Sequence, residues 1–449
     1  MKKSEIQAEF FRRREGSLRL QVPGGSGSSS RSTQLCRTSA AESGIDLEMA
    51  AVIIFALTYL VLAIGRFPGL RIDRTGASII GASLMVGTNA LTLEKAYAAI
   101  NFDTIILLFG MMIVIANLKL SGFFSLVAER VVEHAHRPFA LLSAIVLVAG
   151  SFSAFFVNDT MCLVLTPLVL EITTALRRNP VPYLLGIAMG ANIGSAATIT
   201  GNPQNMLIGS FSKIDYRLFA TKLAPVALAG LFITIVLIYV AYRREFAASP
   251  KVDLPRRAIR VNQPLMWKSL VVSAGMIVFF FAGWPVPKVA IVAGAVLLIT
   301  RRVKPEKVYR QIDWSLLVMF AGLFIVIAGL ENTWFERDLE DFAAHLHLDN
   351  TFILSGFSAL LSNIASNVPA VLMFKPLIVH IADPVRAWLT LAMSSTLAGN
   401  LTVLGSVANL IVIQQAKHEA QIGFWEYFRV GAPLSILTIA FGAAWLTWF

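Results

Sequence analysis

The chain is a succession of apolar blocks, most of about 16–24 residues, separated by short polar or charged joints. Blocks of that length are long enough to cross a bilayer as helices. The pattern predicts spans at 49–65, 75–90, 102–120, 183–213 and 219–242 in a first half. It predicts 268–284, 286–300, 314–330, 385–416 and 427–448 in a second half. The fourth block of each half is interrupted by Gly, Pro, Asn, Ser and Thr. Between the third and fourth blocks lies a further apolar region, 138–176 and then 351–382, with a polar knot at its middle. The first knot is Phe156-Val157-Asn158-Asp159-Thr160, followed by Thr166-Pro167. The second, 209 residues later, is Ala365-Ser366-Asn367-Val368-Pro369, followed by Lys375-Pro376. In lipid an unsatisfied polar group costs several kcal/mol. Each region is therefore read as a re-entrant helical hairpin whose tip faces protein, water or solute.

Composition agrees. The 449 residues are 56% hydrophobic and 14% charged, whereas a soluble domain carries about a quarter charged residues. The net charge of +11 does not call for nucleic acid, because the basic residues lie in short joints between spans. Cys36 and Cys162 form no disulfide framework or zinc spacing, and Cys162 is read as a small buried hydrophobe. Residues 1–48 are basic and include Pro23-Gly24-Gly25-Ser26-Gly27-Ser28-Ser29-Ser30, the composition of a disordered tail without a signal-peptide core. Met49 stands directly before the first span, so a native start there is one expectation.

The charges orient the spans. If hairpins return and interrupted blocks cross once, one side receives 22 Lys/Arg and the other 7, with Lys375 and the tail set aside. The richer side is assigned to the cytoplasm. Five crossings per half make the second half start from the opposite side, so the repeats are inverted. The alignment supports a repeat: Phe102-Asp103-Thr104 matches Ile312-Asp313-Trp314, and Gly201-Asn202-Pro203-Gln204-Asn205 matches Gly405-Ser406-Val407-Ala408-Asn409. The expected fold is an all-α polytopic membrane protein. It has two inverted repeats of five transmembrane helices, 49–242 and 268–449, each with a re-entrant hairpin and a broken helix, joined by a basic cytoplasmic linker, 243–267.

Matching hairpins and breaks in two halves place a binding site at the membrane centre. Breaks free backbone carbonyls and amides, which with Asn, Ser and Thr oxygens can ligate a hard cation or a solute. The candidate lining is Ser153, Asn158, Asp159, Thr160, Thr200, Gly201, Asn202 and Asn205 from the first half. Ser362, Ser366, Asn367, Asn400, Gly405, Ser406 and Asn409 come from the second. The plainer reading is that these amides only satisfy broken backbone. Asp159 is the main asymmetry, since Val368 stands opposite it in the repeat. A carboxylate at membrane depth is costly to keep charged, which suits a proton carrier; equally, it can N-cap the second hairpin arm. Lys375, in the place of Thr166, either attracts an anion, pairs with Asp159 or snorkels outward. Asp103 and Asp313 are read as helix caps, and Glu171 as structural. His134, His136, His345 and His347 are read as surface residues before weak metal ligands. No HExxH, P-loop, GxSxG or paired intramembrane aspartate argues for an enzyme.

These motifs resemble the arsenite-efflux and citrate permeases of the ion transporter superfamily over roughly 49–449. The resemblance rests on Ala154-Phe155-Phe156-Val157-Asn158-Asp159 with Thr166-Pro167, on Gly201 to Asn205, and on Ser366-Asn367 with Gly405-Ser406 to Asn409. It implies a homodimer in the cytoplasmic membrane, with a scaffold part and a mobile part of hairpins and broken helices. It implies no cofactor beyond a coupling Na⁺ or H⁺. The sodium-coupled dicarboxylate branch carries Ser-Asn-Thr at each tip; Val157-Asn158-Asp159 and Ser366-Asn367-Val368 depart from that. The expected function is secondary active transport, first as an anion permease, with an arsenite-efflux permease, a Na⁺/H⁺ antiporter or a passive channel as alternatives.

Overall fold

The computed structural model describes residues 29–64, 72–134, 137–247, 261–301, 303–331, 333–334, 345–378 and 381–448. Among these residues the secondary structure is helical throughout. The first half runs α1 (Ser29–Ile64), α2 (Arg74–Gly87), α3 (Leu93–Ala99), α4 (Phe102–Ser121) and α5 (Phe123–His134). It continues with α6 (Pro138–Phe155), α7 (Asn158–Ala175), α8 (Val181–Ser195), α9 (Pro203–Ser212) and α10 (Tyr216–Ala241). A short α11 (Arg243–Ala247) follows. The second half runs α12 (Gln263–Phe281), α13 (Val286–Leu298), α14 (Pro305–Tyr309), α15 (Trp314–Leu330), α16 (Thr351–Ala365) and α17 (Asn367–Ile378). It closes with α18 (Pro384–Ala398), a 3₁₀ turn (Val403–Gly405), α19 (Val407–Ala416) and α20 (Phe424–Trp448).

The two halves repeat this order. Each hairpin is an adjacent pair, α6–α7 and α16–α17, and each broken helix is α8–α9 or α18–α19. Among the described residues six helices are long and apolar enough to cross a membrane: Leu47–Ile64 within α1, α4, α6, α10, α12 and α20. Of these, α6 has the length of a span but turns at Phe156 into α7, as a hairpin arm does. The spans expected at 75–90 and 286–300 come out shorter, as 14 and 13 residues in α2 and α13. At 1.5 Å per residue these helices reach about 20 Å.

Contacts across the halves are reciprocal. Helix α2 packs on α15 and α13 on α4; α7 packs on α19 and α17 on α9; α10 packs on α20. Glycine sets the closest of these approaches. A Cβ on Gly110 of α4 would come within 2.6 Å of the Ala290 backbone of α13. A Cβ on Gly322 of α15 would come within 2.8 Å of the Ser78 backbone of α2. The same contact recurs 212 residues along each chain segment, the mark of a pseudo-two-fold relation. The core runs through the broken helices: all of α8 is buried, as is α18 from Ala387 to Ala398. A helix buried all round must be apolar all round, and α8 is, apart from Tyr183, Asn192 and Ser195.

The first helix corrects one boundary. Residues 29–48, expected in a disordered tail, are helical in α1. Gln34, Leu35, Ala40, Ala41 and Glu42 are good helix formers there. Residues 48–449 form one body, and the stretch up to Leu47 is a separate unit. The expectations for residues 1–28, for 248–260 of the linker and for the side chains of His134 and His136 lie outside the described residues.

Candidate functional site

Both helix breaks are held in one way. Helix α8 ends at Ser195 and α9 opens at Pro203, a residue suited to a first turn because it lacks the amide that would go unpaired there. The Asn202 side chain caps α9 by accepting from the Asn205 amide at 3.0 Å. Asn205 Nδ2 donates to the freed Ser195 and Thr198 carbonyls, both at 3.0 Å. In the second half the Ser406 side chain caps α19, accepting from the Ala408 amide at 3.2 Å. Asn409 Nδ2 donates to the Gly399 and Thr402 carbonyls at 2.7 and 3.1 Å. The two bond pairs are displaced by 204 residues throughout. The amide nitrogens of Asn205 and Asn409 thus serve the backbone, as the plainer reading held.

Their oxygens do not. Each faces the other half, toward residues that the sequence reasoning missed. Asn192, in α8, donates Nδ2 to Asn400 Oδ1 and Asn409 Oδ1, both at 2.9 Å. Asn192 Oδ1 accepts from Ser406 Oγ at 3.0 Å and from Asn158 Nδ2 at 3.1 Å. Thr396 of α18, again 204 residues on, mirrors it. Its Oγ1 accepts from Asn202 Nδ2 at 3.0 Å and Gln204 Nε2 at 3.2 Å, and donates to Asn205 Oδ1 at 3.4 Å. The arm before one break therefore holds the arm after the other. The 204-residue offset of Gly201 and Gly405 was the signal that could have led to Asn192 and Thr396.

The hairpin tips close on this crossing unequally. The Asn158 amide donates to the Gly201 carbonyl at 3.0 Å, which seats the first tip on the first break. Thr198 Oγ1 donates to the Ala154 carbonyl beside it. Asn158 Oδ1 and Ser153 Oγ are buried and without a partner. In the second half the corresponding groups pair, Ser362 Oγ donating to Asn367 Oδ1 at 2.7 Å. Ser362 also meets the Ser395 carbonyl at 3.2 Å. Ser366 takes the left-handed bend between the second pair of arms, with φ +76°. Thr200 turns away from the crossing and bonds the Tyr216 hydroxyl at 2.9 Å. Gly405 packs toward Asn363.

Asp159 and Thr160 lie half-buried in the first turn of α7. The N-cap of that helix is Val157, with no side-chain cap bond, so the capping reading of Asp159 is corrected. The helix begins at Asn158, one residue too early for Asp159 to reach back as a cap. Arg74 at the start of α2 and Asp313 at the start of α15 are within electrostatic reach of it. Two further expectations change. Asp103 is not a cap: Asn101 caps α4 by accepting from the Thr104 amide, and Asp103 pairs with Lys213 at 3.2 Å. Asp313 does cap α15, through the Leu316 amide. Lys375 neither snorkels free nor meets Asp159; it pairs with Glu331 at 2.8 Å and stands 5.3 Å from the Phe211 ring centroid. His347 Nδ1 turns back on the His345 carbonyl at 3.0 Å.

Chemically, the crossing offers amides, hydroxyls and helix-end carbonyls. The first tip adds unpaired oxygens and one carboxylate. Such oxygens suit a hard cation or a solute rich in hydroxyls.

A family model described as citrate transporter matches residues 58–398. The silicon efflux transporter LSI3 of Oryza sativa subsp. japonica is 30% identical, over 87% of this chain and 96% of that protein. The 46 kDa membrane protein of Mycobacterium leprae is 27% identical, over 89% of this chain and 98% of that protein. The putative transporter arsB of Dictyostelium discoideum is 25% identical, over 83% and 87% respectively. In fold, the crystal structure of the Alcanivorax borkumensis YdaH transporter aligns with TM-score 0.56 at 13% identity, covering 89% of this chain and 97% of that one.

Proposed function

The chain belongs to the citrate transporter family, and on that premise we propose that it is a secondary active transporter whose solute binds where the two broken helices cross. The observation that carries this reading is the reciprocal exchange of Asn192 with Ser406 and Asn409, and of Thr396 with Asn202 and Asn205. It joins two irregular backbone segments at the centre of the fold, where only a cavity, protein or solute can satisfy them. The solute is a small anion or metalloid species. Coupling resides at the first tip, where Asp159 carries H⁺, or Ser153 Oγ and Asn158 Oδ1 hold Na⁺. The protein works as a homodimer in the cytoplasmic membrane.

A second reading concerns the solute's charge. The residues that join the crossing (Asn158, Asn192, Ser195, Asn202, Gln204, Asn205, Thr396, Asn400, Ser406 and Asn409) are uncharged. A neutral, hydroxylated metalloid acid matches such a site better than a polycarboxylate, whose charges need cationic partners. The names of the silicon efflux and arsB relatives support this direction.

The test is solute flux in proteoliposomes under an imposed pH or Na⁺ gradient, with silicic acid, arsenite and citrate offered in turn. Uptake that follows one gradient supports the proposal. Flux that persists unchanged with every ion gradient collapsed makes the protein a channel and overturns it.

A further inference from the structure

Three chain segments bring arginines to one corner of the face that the charge count assigns to the cytoplasm. They are the turn after the first hairpin, the end of α10 with α11, and the first turns of α20. Arg178 Nη1, in that turn, donates to the Glu245 carbonyl of α11 at 3.2 Å and lies 3.6 Å from the Glu245 carboxylate. Arg429 Nη2 of α20 donates to the Ala241 carbonyl of α10 at 3.1 Å, and the Tyr242 hydroxyl donates to Glu426 at 3.1 Å. The ring of Phe246 is buried and lies against Tyr183 and Tyr239. These contacts fold α11 back onto the bundle and hold the three segments together.

The corner keeps an excess of positive charge. Its acids are engaged by the protein: Glu245 by Arg178, Glu426 by Tyr242, and Glu419 by Thr174 Oγ1 at 3.4 Å. Arg177, Arg243 and Arg244 are exposed, and among the described residues they make no ion pair. Arg429 is exposed as well and carries five donors, of which the Ala241 carbonyl takes one.

Toward the membrane centre the same two helices are apolar outside. On α10, Phe232, Val236 and Val240 are exposed at every fourth residue, a single stripe that runs up to Arg243 and Arg244. On α20, Trp425, Arg429 and Ile436 share one face by their spacing of four and seven. The two helices pack on each other. Between stripe and charge stands a ring cluster of Phe424, Trp425 and Phe428, with centroids 5.2–5.8 Å apart. Trp425 is 75% exposed. Aromatic side chains at the ends of spans lie at the level of the lipid headgroups.

We propose that this corner binds an anionic phospholipid of the cytoplasmic leaflet. The exposed arginines take the headgroup phosphate, which the guanidinium fork matches in shape and charge. The rings lie beside the glycerol level, and the apolar stripes take the acyl chains. Basic clusters at the cytoplasmic ends of spans recognise anionic lipids in this way. A free phosphate would use the arginines but leave the rings and stripes without a role, so the occupant is a lipid. The inference requires that α10 and α20 cross the membrane, and it is independent of the solute and of the coupling ion.

The test titrates full-length protein in a neutral detergent with phosphatidylglycerol, with phosphatidylcholine of the same chains, and with inorganic phosphate. Bound lipid is counted by native mass spectrometry, and the thermal midpoint is read in parallel. Phosphatidylglycerol should bind more tightly than phosphatidylcholine and raise the midpoint, and phosphate should neither raise it nor compete. One arginine at the leaflet is worth about fivefold in affinity. Arg243→Gln with Arg244→Gln should therefore weaken phosphatidylglycerol about 25-fold, and adding Arg429→Gln about fivefold more. The double variant removes no described contact, so its fold should hold. Arg301→Gln with Lys304→Gln removes equal charge from exposed positions elsewhere on the same face and should change affinity less than twofold. Equal binding of the two lipids overturns the proposal. So does an equal loss in the Arg301 and Lys304 variant, which would make the effect one of surface charge at large. Stabilisation or competition by inorganic phosphate would make the corner a plain anion site and overturns it too.

Discussion

Asn192→Ala is the sharpest structural perturbation of the crossing. The side chain is buried and makes four hydrogen bonds, to Asn158, Asn400, Ser406 and Asn409. Interhelical hydrogen bonds in membrane proteins average about 0.6 kcal/mol, so four of them amount to roughly 2–3 kcal/mol. Truncation also leaves Asn158 Nδ2 and the Asn400 oxygen buried without their Asn192 partner, at about 1–3 kcal/mol for an orphaned group. The expected loss is about 3–5 kcal/mol. An unfolding entropy of about 2.1 cal/mol/K per residue makes 1 kcal/mol worth about 1 °C in a chain of this size. The midpoint of thermal unfolding in detergent should therefore fall by about 3–5 °C. Asn117→Ala is the control. Asn117 is equally buried in a span, but its only bond is Nδ2 to the Ile113 carbonyl in its own helix, and its Oδ1 is unpartnered. It should lose about 1 °C or less. Equal losses for the two variants, or no loss for Asn192→Ala, would refute the claim that this amide ties the halves together.

Other expectations follow from single contacts. A Cβ on Gly431 would overlap the Asn400 carbonyl oxygen, so Gly431→Ala should cost about 1–3 kcal/mol, whereas Gly275→Ala, with open space around it, should be neutral; equal thermal midpoints would discount the close approach. Ser153→Ala and Asn158→Ala should weaken cation-dependent thermal stabilisation, while Ser362→Ala, whose hydroxyl is already engaged, should not; a Ser362→Ala effect as large as that of Ser153→Ala contradicts a site at the first tip alone. The Arg386 amide, bonded to the Asp383 carboxylate at the start of α18, holds that group below its usual range. A depressed carboxylate contributes stability that is present above its unfolded value of about 3.9 and is lost as pH falls through the lower folded value. Asp383→Asn keeps the cap but should flatten this acid limb below about pH 4 in a melting series; an unchanged limb would exclude the contribution.

Much of the architecture was legible from the chain. Polar knots at Asn158 and Asn367 mark the hairpin turns because lipid tolerates such residues only where they are covered, and Pro203 and Gly201 mark the first break for the same reason. What stayed hidden depends on partners far along the chain. Asn192 and Thr396 sit inside apolar helices, and their importance lies in residues about 200 positions away that the fold brings across. Lys375 resembles an interfacial snorkeller until Glu331, from another helix, comes beside it. Asp159 resembles a cap because Asp often is one; α7 begins one residue earlier and leaves its carboxylate free of that duty. The helix over 29–48 was masked by its Ser-rich, basic neighbourhood.

Asp159→Asn separates coupling from solute passage most directly. In one set of proteoliposomes, uphill solute uptake under an imposed pH gradient is compared with solute exchange at equal pH. The variant should keep exchange, because the crossing of α8–α9 with α18–α19 is intact, and lose gradient-driven uptake. A variant that still accumulates solute against its gradient at the wild-type rate would contradict the assignment of proton coupling to Asp159.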